Sequence, residues 1–163
     1  MMINPKKKTE RGQVLLEALI ALGVATIVIA AITMAVVSSL SSAESAKSLN
    51  LATHYAQEGL ELSRKQSQED WATFSSMMPD ITHQNIYCLG DEKKLRSTGA
   101  SKTCEKNVGG VFNRVIIVSQ NNYSCPNAIQ IESIVGWSDG KCTSSTDPFC
   151  HKITLTSCLA NIQ

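Results

Sequence analysis

The stretch ALIALGVATIVIAAITMAVV, from Ala18 to Val37, carries no charged side chain over 20 positions. As a helix it would extend about 30 Å, which matches the thickness of one hydrocarbon core. A helix buried in a soluble core keeps a polar face, and this stretch has none. A secretory signal would need a shorter apolar run of about 7–15 residues before a small-residue cleavage site. The sequence therefore predicts one membrane-crossing helix.

The residues that precede this stretch are mostly basic. Lys6, Lys7, Lys8 and Arg11 stand against Glu10 alone, so this part of the chain has a net charge of +3. A basic patch beside an apolar run stays on the cytoplasmic side of a membrane. We therefore expect a single pass through the inner (cytoplasmic) membrane with a cytoplasmic N-terminus.

The helical pattern continues beyond the apolar stretch. Apolar residues recur at spacings of three and four, with most charged and amide side chains off their stripe. The members of this stripe are Ala46, Leu49, Ala52, Tyr55, Ala56 and Leu60. We predict one helix from about residue 14 to about residue 67, apolar on all sides in its first half and amphipathic in its second. Such a helix can anchor in lipid and then pack against a soluble domain.

Glu17 is a carboxylate inside the apolar segment, which begins at Val14. An ionised carboxylate at the centre of a bilayer costs about 2.5–3.5 kcal/mol on insertion scales, and less near the interface. One interpretation is an interfacial Glu that reaches toward the headgroups. The functional interpretation is that another molecule supplies a cation at the same depth.

The sequence Gly12-Gln13-Val14-Leu15-Leu16-Glu17, between a basic leader and an uncharged run, resembles the class III signal of type IV pilins and type II secretion pseudopilins. The resemblance implies that a prepilin peptidase cuts between Gly12 and Gln13 and then N-methylates Gln13. It also implies that Glu17 pairs with the mature N-terminal amine of a neighbouring subunit. Two charges that are each costly in a dry environment would neutralise each other there, so the pair would set register more than add stability.

The resemblance covers the first 70 residues and extends more loosely into the C-terminal half. The helix end AQEGLE at 56–61, followed by Arg64 and Trp71, is similar to that of minor pilins of the PilV type. Residues 134–137 and 151–155 are similar to the last strands of those proteins. The implied partners are other pilin or pseudopilin subunits through the N-terminal helix, prepilin peptidase, an inner-membrane assembly platform and the membrane itself.

Two features depart from the family pattern. Gln13 stands where the first mature residue is usually Phe, a position at which the peptidase tolerates variation. Many major pilins carry a helix-breaking Pro in the membrane helix, whereas Gly23 is the intrinsically weak position of this one.

Beyond residue 70 the pattern changes from helix to strand. Alternating apolar residues predict strands at 111–118, 128–137 and 151–159. Residues 71–110 are expected to be irregular, with Asp91–Lys94 as a solvated turn. Three short strands joined by loops suggest an antiparallel meander, one face of which would cover the helix stripe. The predicted fold class is therefore α+β, with a long N-terminal helix packed on a small antiparallel sheet.

Six cysteines lie beyond the apolar segment, on the side of the membrane where disulfides persist. They permit 15 connectivities, and the sequence does not choose among them. Loop lengths make Cys142–Cys150 and Cys88–Cys104 plausible local pairs, which leaves Cys125–Cys158. Each bridge would add about 2–4 kcal/mol by restricting the unfolded chain.

Metal binding, catalysis and nucleic-acid binding have little support. The chain has no Cys-x-x-Cys, and His54, His83 and His151 are scattered, so we expect no metal site. It has no nucleophile elbow, P-loop or His-Glu-x-x-His pattern either, so we expect neither an enzyme nor a cofactor. Trp71 and Trp137 are expected to pack within the domain. A net charge of +1 gives no electrostatic case for nucleic acid as the main partner.

These observations predict four segments. Residues 1–12 form a cleaved leader, 13–43 a transmembrane and filament-core helix, 44–70 its amphipathic continuation, and 71–163 a disulfide-stapled β domain. The expected function is that of a minor type IV pilin-like subunit, stored in the inner membrane and then built into an extracellular or periplasmic filament. A type II secretion pseudopilin is the alternative within the family. A single-pass membrane-anchored binding or sensor domain, in which Glu17 is incidental, is the alternative outside it.

Overall fold

The computed structural model describes residues 10–77, 85–98, 104–120, 124–126, 128–139, 142 and 149–160. Residues 1–9 of the predicted leader lie outside this part of the chain. The described residues form helices α1 (Glu10–Glu69) and α2 (Trp71–Ser76). They also form strands β1 (Asn85–Leu89), β2 (Leu95–Ser97), β3 (Asn113–Gln120), β4 (Ile129–Trp137) and β5 (His151–Leu159). The predicted α+β fold class is confirmed, because a long N-terminal helix packs on an antiparallel sheet.

The chain divides into two compact units, residues 1–46 and 47–163. In the first unit, the large apolar side chains from Val14 to Leu40 are all exposed, each by about half or more. The two hydroxyls of the apolar stretch are satisfied by the helix backbone, since Thr26 donates to the Gly23 carbonyl and Thr33 to the Ile29 carbonyl. Among the described residues, α1 is the helix that is long and apolar enough to cross a membrane.

In the second unit, α1 packs on the sheet through small side chains. Its buried positions recur every three or four residues at Ala52, Ala56, Gly59, Ser63 and Ser67. A Cβ atom built on Gly59 would lie 2.5 Å from Ser133 Oγ, so the helix lies closer to the sheet there than an alanine allows.

The apolar helix stripe that the sequence predicted is only partly buried. Ala52 and Ala56 have no exposed surface, and Tyr55 and Leu60 are half-buried. Leu49, by contrast, is 48% exposed, and Ala46 is exposed as well. The prediction missed the glycine and serine positions because it followed apolar residues alone.

The strand order is β2-β1-β3-β4-β5, with antiparallel pairing between neighbours. Strands β3, β4 and β5 form the predicted meander, and β5 has the predicted bounds. Strand β3 begins at Asn113 instead of residue 111 because a turn precedes it. In this turn Gly109 and Gly110 have φ of 55° and 67°, and the Phe112 N–H donates to the Val108 carbonyl. Strand β4 begins one residue later than predicted, and α1 ends at Glu69 instead of about residue 67.

The prediction that residues 71–110 are irregular was wrong for helix α2 and strands β1 and β2, which lie there. Asp91–Lys94 form the expected exposed turn, and the described residues 104–112 also lie outside the helices and strands. Asp70 caps α2, since its carboxylate accepts from the Thr73 N–H at 2.9 Å. Hydrogen bonds from the Thr73 hydroxyl and then from its backbone N–H hold the pKa of Asp70 below its usual value. Strand β1 is five residues long, so its sequence is too short to show a clear alternation, and pairing with β3 defines it.

The core has two parts. One contains Phe74, Tyr87, Leu89, Ile116, Val118, Ile129, Ile131 and Leu159, with Trp71 packed against it. The other contains Ala52, Ala56, Val108, Phe112, Val135 and Trp137. The predicted packing role of both tryptophans is confirmed, and Trp137 is only 8% exposed.

Candidate assembly helix and its stapled domain

The predicted cleavage and assembly residues lie in the first turns of α1. A Cβ atom built on Gly12 would meet nothing within 4 Å, so the backbone is open at this position. Gln13 and Glu17 are exposed and four residues apart, which places them on the same face of the helix. Among the described residues, none donates a hydrogen bond to the Glu17 carboxylate, and its neighbours Val14 and Leu16 are exposed apolar side chains. This surface suits a partner that is apolar apart from one cation.

Arg114 on β3 is a residue whose importance the sequence analysis missed. Its side chain is only 1% exposed, yet all three of its guanidinium nitrogens donate hydrogen bonds. Nε donates to the Leu89 carbonyl at 2.8 Å and Nη2 to the Gly90 carbonyl at 3.2 Å. Nη1 donates to the Tyr55 carbonyl at 3.1 Å and to Glu58 Oε2 at 2.9 Å. One side chain thus joins α1, β3 and the end of β1.

The backbone of Arg114 is held as well, by a single side chain. Asn107 Oδ1 accepts from the Arg114 N–H at 2.7 Å, and Asn107 Nδ2 donates to the Arg114 carbonyl at 2.9 Å. The amide therefore bonds to β3 as a neighbouring strand would. This contact holds the start of β3 and keeps the guanidinium directed toward α1.

Glu58 is the counter-charge of this network. Burial opposes its ionisation, but the hydrogen bond and charge of Arg114, together with Lys93 at 3.6 Å, outweigh that effect. As a result, the pKa of Glu58 lies below its usual value. Glu58 belongs to the sheet-bearing unit and lies well beyond the apolar stretch that ends at Val37.

All six cysteines form bridges: Cys88–Cys104, Cys125–Cys158 and Cys142–Cys150. These are the pairs that the loop lengths favoured among the 15 connectivities. The first ties β1 to the segment before β3, the second ties the segment before β4 to the end of β5, and the third spans the connection from β4 to β5. Two of the bridges therefore tie segments that precede β3 and β4 to strands β1 and β5.

The histidines are not equivalent. His54 is exposed on α1 and lies edge-on to Tyr55, with 6.0 Å between ring centroids. His83 lies outside the described residues. His151, at the start of β5, is stacked on Trp137 and lies 3.0 Å from Asp139, beside the Cys142–Cys150 bridge. The sequence showed Cys150 next to His151, but the proximity of Asp139 depends on the fold.

Comparison with family models, curated proteins and solved structures finds no match for this chain.

Proposed function

We propose that this chain is a minor type IV pilin-like structural subunit, processed by prepilin peptidase and assembled into a pilus or pseudopilus through its N-terminal helix. The observation that carries the proposal is an exposed apolar helix whose first turns hold Gly12, Gln13 and Glu17 in the spacing of a pilin processing signal. In this role the chain primes assembly or decorates the fibre.

The exposed helix supports a role in packing. A contiguous apolar surface of this extent is unfavourable in water and marks a contact with lipid or with other proteins. Neighbouring helices can replace lipid around Ala18–Val37 without exposing polar backbone, because the helix satisfies its own hydrogen bonds. The same surface therefore suits both storage in the membrane and a place in a helical filament core.

Glu17 supports assembly in a defined register. Cleavage after Gly12 would create an ammonium group at Gln13, at the edge of the apolar surface. In a filament, subunits are offset along the axis, so the amine of one can reach Glu17 of another. In the pair, the two charges neutralise each other, whereas each alone is unfavourable in an environment without water.

The stapled domain supports the same proposal. Its three disulfides suit an oxidising compartment, where such bridges persist. The force for assembly would come from an ATPase of the assembly platform, so this chain needs no active site of its own.

The proposal is tested by co-expressing the full chain with a prepilin peptidase and measuring the intact mass. We expect the loss of residues 1–12, about 1.4 kDa, together with methylation of Gln13. Gly12→Val should retain the leader. Gly23→Val is a matched control, since both glycines have open space around them, and it should be cleaved normally.

Retention of the whole leader by the unmodified chain would overturn the proposal and favour a membrane-anchored binding or sensor domain. Isolation of the cleaved chain from pili would identify a pilus subunit. Its isolation from a type II secretion system would identify a pseudopilin.

A further inference from the structure

The connection between β4 and β5 brings four metal-ligating side chains together: Asp139, Cys142, Cys150 and His151. One ligand atom of each lies within 4.8 Å of those of the others. Asp139 Oδ2 is 3.0 Å from His151 Nε2, and Cys142 Sγ is 3.6 Å from Asp139 Oδ1. Two sulfurs, an imidazole and a carboxylate form a donor set that suits tetrahedral Zn²⁺.

The disulfide and a metal ion compete for the same sulfur atoms. Cys142 and Cys150 are bonded to each other, and a disulfide offers no thiolate. Zinc requires thiolates at about 2.3 Å, which places two sulfurs of one tetrahedral site about 3.8 Å apart. Because the other two ligands already lie beside the bridge, opening it would require only a small separation of the sulfurs.

This bridge is the easiest of the three to open. Cys104 and Cys125 are 7% and 2% exposed, so each of the other two bridges includes one buried cysteine. Cys142 is half-buried, and Cys150 is exposed. The bridge also spans only 8 residues, against 16 and 33 for the others. Opening this bridge therefore increases the conformational entropy of the unfolded chain the least, and the other two bridges continue to constrain the domain.

The two ligands outside the bridge are already oriented. His151 pairs with Trp137 in the β4–β5 register, and the two rings stack with centroids 5.4 Å apart and planes at 22°. Trp137 is buried, so it provides a firm surface for the imidazole. With Nε2 directed at Asp139, the histidine and the carboxylate converge on one point.

We propose that Asp139, Cys142, Cys150 and His151 form a zinc site that the Cys142–Cys150 disulfide opens and closes. A small dithiol transfers two electrons and two protons to the bridge, which yields two thiols and leaves the reductant as a cyclic disulfide. Zn²⁺ then displaces both thiol protons into solvent and binds the two sulfurs, Asp139 and the neutral imidazole through Nε2. A small-molecule disulfide reoxidises the site: it accepts two electrons from the two thiolates and two protons from solvent, leaves as two thiols, restores the Cys142–Cys150 bridge and releases the ion. This inference does not depend on the proposed assembly role.

The test uses the full chain in detergent and Zn²⁺ as the probe. A mild dithiol is titrated until alkylation and mass mapping show that Cys142 and Cys150, and no other cysteine, are free. We expect one bound zinc per chain in this state and none in the oxidised state. Asp139→Asn and His151→Gln should each weaken binding at least about tenfold. Neither variant removes a cysteine, so both can fold with all bridges intact.

Matched controls are Asp91→Asn and His54→Gln, which change exposed residues of the same types and should bind as the unmodified chain does. Co²⁺ provides a second readout, since a thiolate-to-cobalt charge-transfer band should appear only after reduction. The proposal is overturned if the selectively reduced chain retains no zinc. It is also overturned if the Asp139 and His151 variants bind equally well, or if a Cys142→Ser, Cys150→Ser double variant retains the ion.

Discussion

Arg114 and Glu58 form an ion pair at 2.9 Å in which the guanidinium is 1% exposed and the carboxylate 30% exposed. A buried cation is unfavourable unless its charge is neutralised and it is well hydrogen-bonded. Here one carboxylate and three backbone carbonyls accept four hydrogen bonds from the three guanidinium nitrogens, and they come from α1 and from the end of β1. The pair therefore couples the helix to the sheet.

Arg114→Ala should lower the free energy of unfolding by about 3–5 kcal/mol, because three carbonyls lose the guanidinium as donor and Glu58 loses its buried partner. Urea unfolding followed by tryptophan fluorescence measures this loss. Arg96→Ala is the control, since Arg96 is 70% exposed and pairs with Glu92 on the surface. That change should cost less than about 1 kcal/mol. Equal losses for the two variants would mean that the buried network does not hold the domain together.

The stability of the domain should fall as Glu58 is protonated. Its pKa in the folded chain lies below the ordinary value of 4.5, so its contribution is complete above about pH 4.5 and is lost as the pH falls through the folded value. Glu58→Gln removes this titration, while Asp70, whose pKa is also lowered, titrates in both proteins. The difference in urea midpoint between the two proteins should shrink from pH 7 to pH 3. If the difference in urea midpoint stayed constant with pH, the pKa of Glu58 would not be lowered by folding.

The sequence was sufficient for features that repeat along the chain. The apolar stretch predicted α1, and the alternation in 151–159 predicted β5 with its inward and outward faces. Helix α2 and strand β1 have six and five residues, which is too short for a period to appear. Both depend on local capping or on pairing with a distant strand.

The network around Arg114 was not predictable for a different reason. Arg114 is a single charged residue in an otherwise apolar strand, and Glu58, to which it binds, lies 56 residues earlier. The approach of Asp139 to His151 likewise depends on the β4–β5 connection and matches no metal-binding spacing. Loop length, by contrast, carries information on disulfides, because short loops favour local pairs.

Gly59→Ala should destabilise the domain by about 1–3 kcal/mol, although alanine favours a helix. The added Cβ would lie 2.5 Å from Ser133 Oγ and 3.2 Å from Ile116 Cδ1, and Ser133 is fully buried. Ser133→Ala introduced together with Gly59→Ala should recover part of the loss in a double-mutant cycle. Gly23→Ala meets nothing within 4 Å and should leave the domain unchanged. If Gly59→Ala were as harmless as Gly23→Ala, close packing of α1 on the sheet would be refuted.

Removing the disulfides one pair at a time should give losses that follow loop size. Replacement by alanine should cost about 4 kcal/mol for Cys125–Cys158, about 3 for Cys88–Cys104 and about 2.5 for Cys142–Cys150, which span 33, 16 and 8 residues. Burial of Cys125 and Cys104 adds to the first two losses. Thermal unfolding of the three double variants measures the order. A largest loss at Cys142–Cys150 would contradict both this account and the ease of opening assumed for the zinc site.

Glu17→Ala should separate processing from assembly. Under the proposed function the peptidase would act at Gly12 and Gln13, so the variant should lose residues 1–12 as the unmodified chain should. Its entry into filaments should fall strongly, because a newly formed amine on a neighbouring subunit would then lie in an apolar environment without a counter-charge. Glu44→Ala is a matched control, since Glu44 is an exposed carboxylate on the same helix beyond the apolar stretch, and it should assemble normally. Immunoblots of sheared filaments beside membrane fractions measure both steps. If cleaved Glu17→Ala chains reach the filament fraction in normal amounts, Glu17 does not act through the amine, and the apolar packing of the helix alone directs assembly.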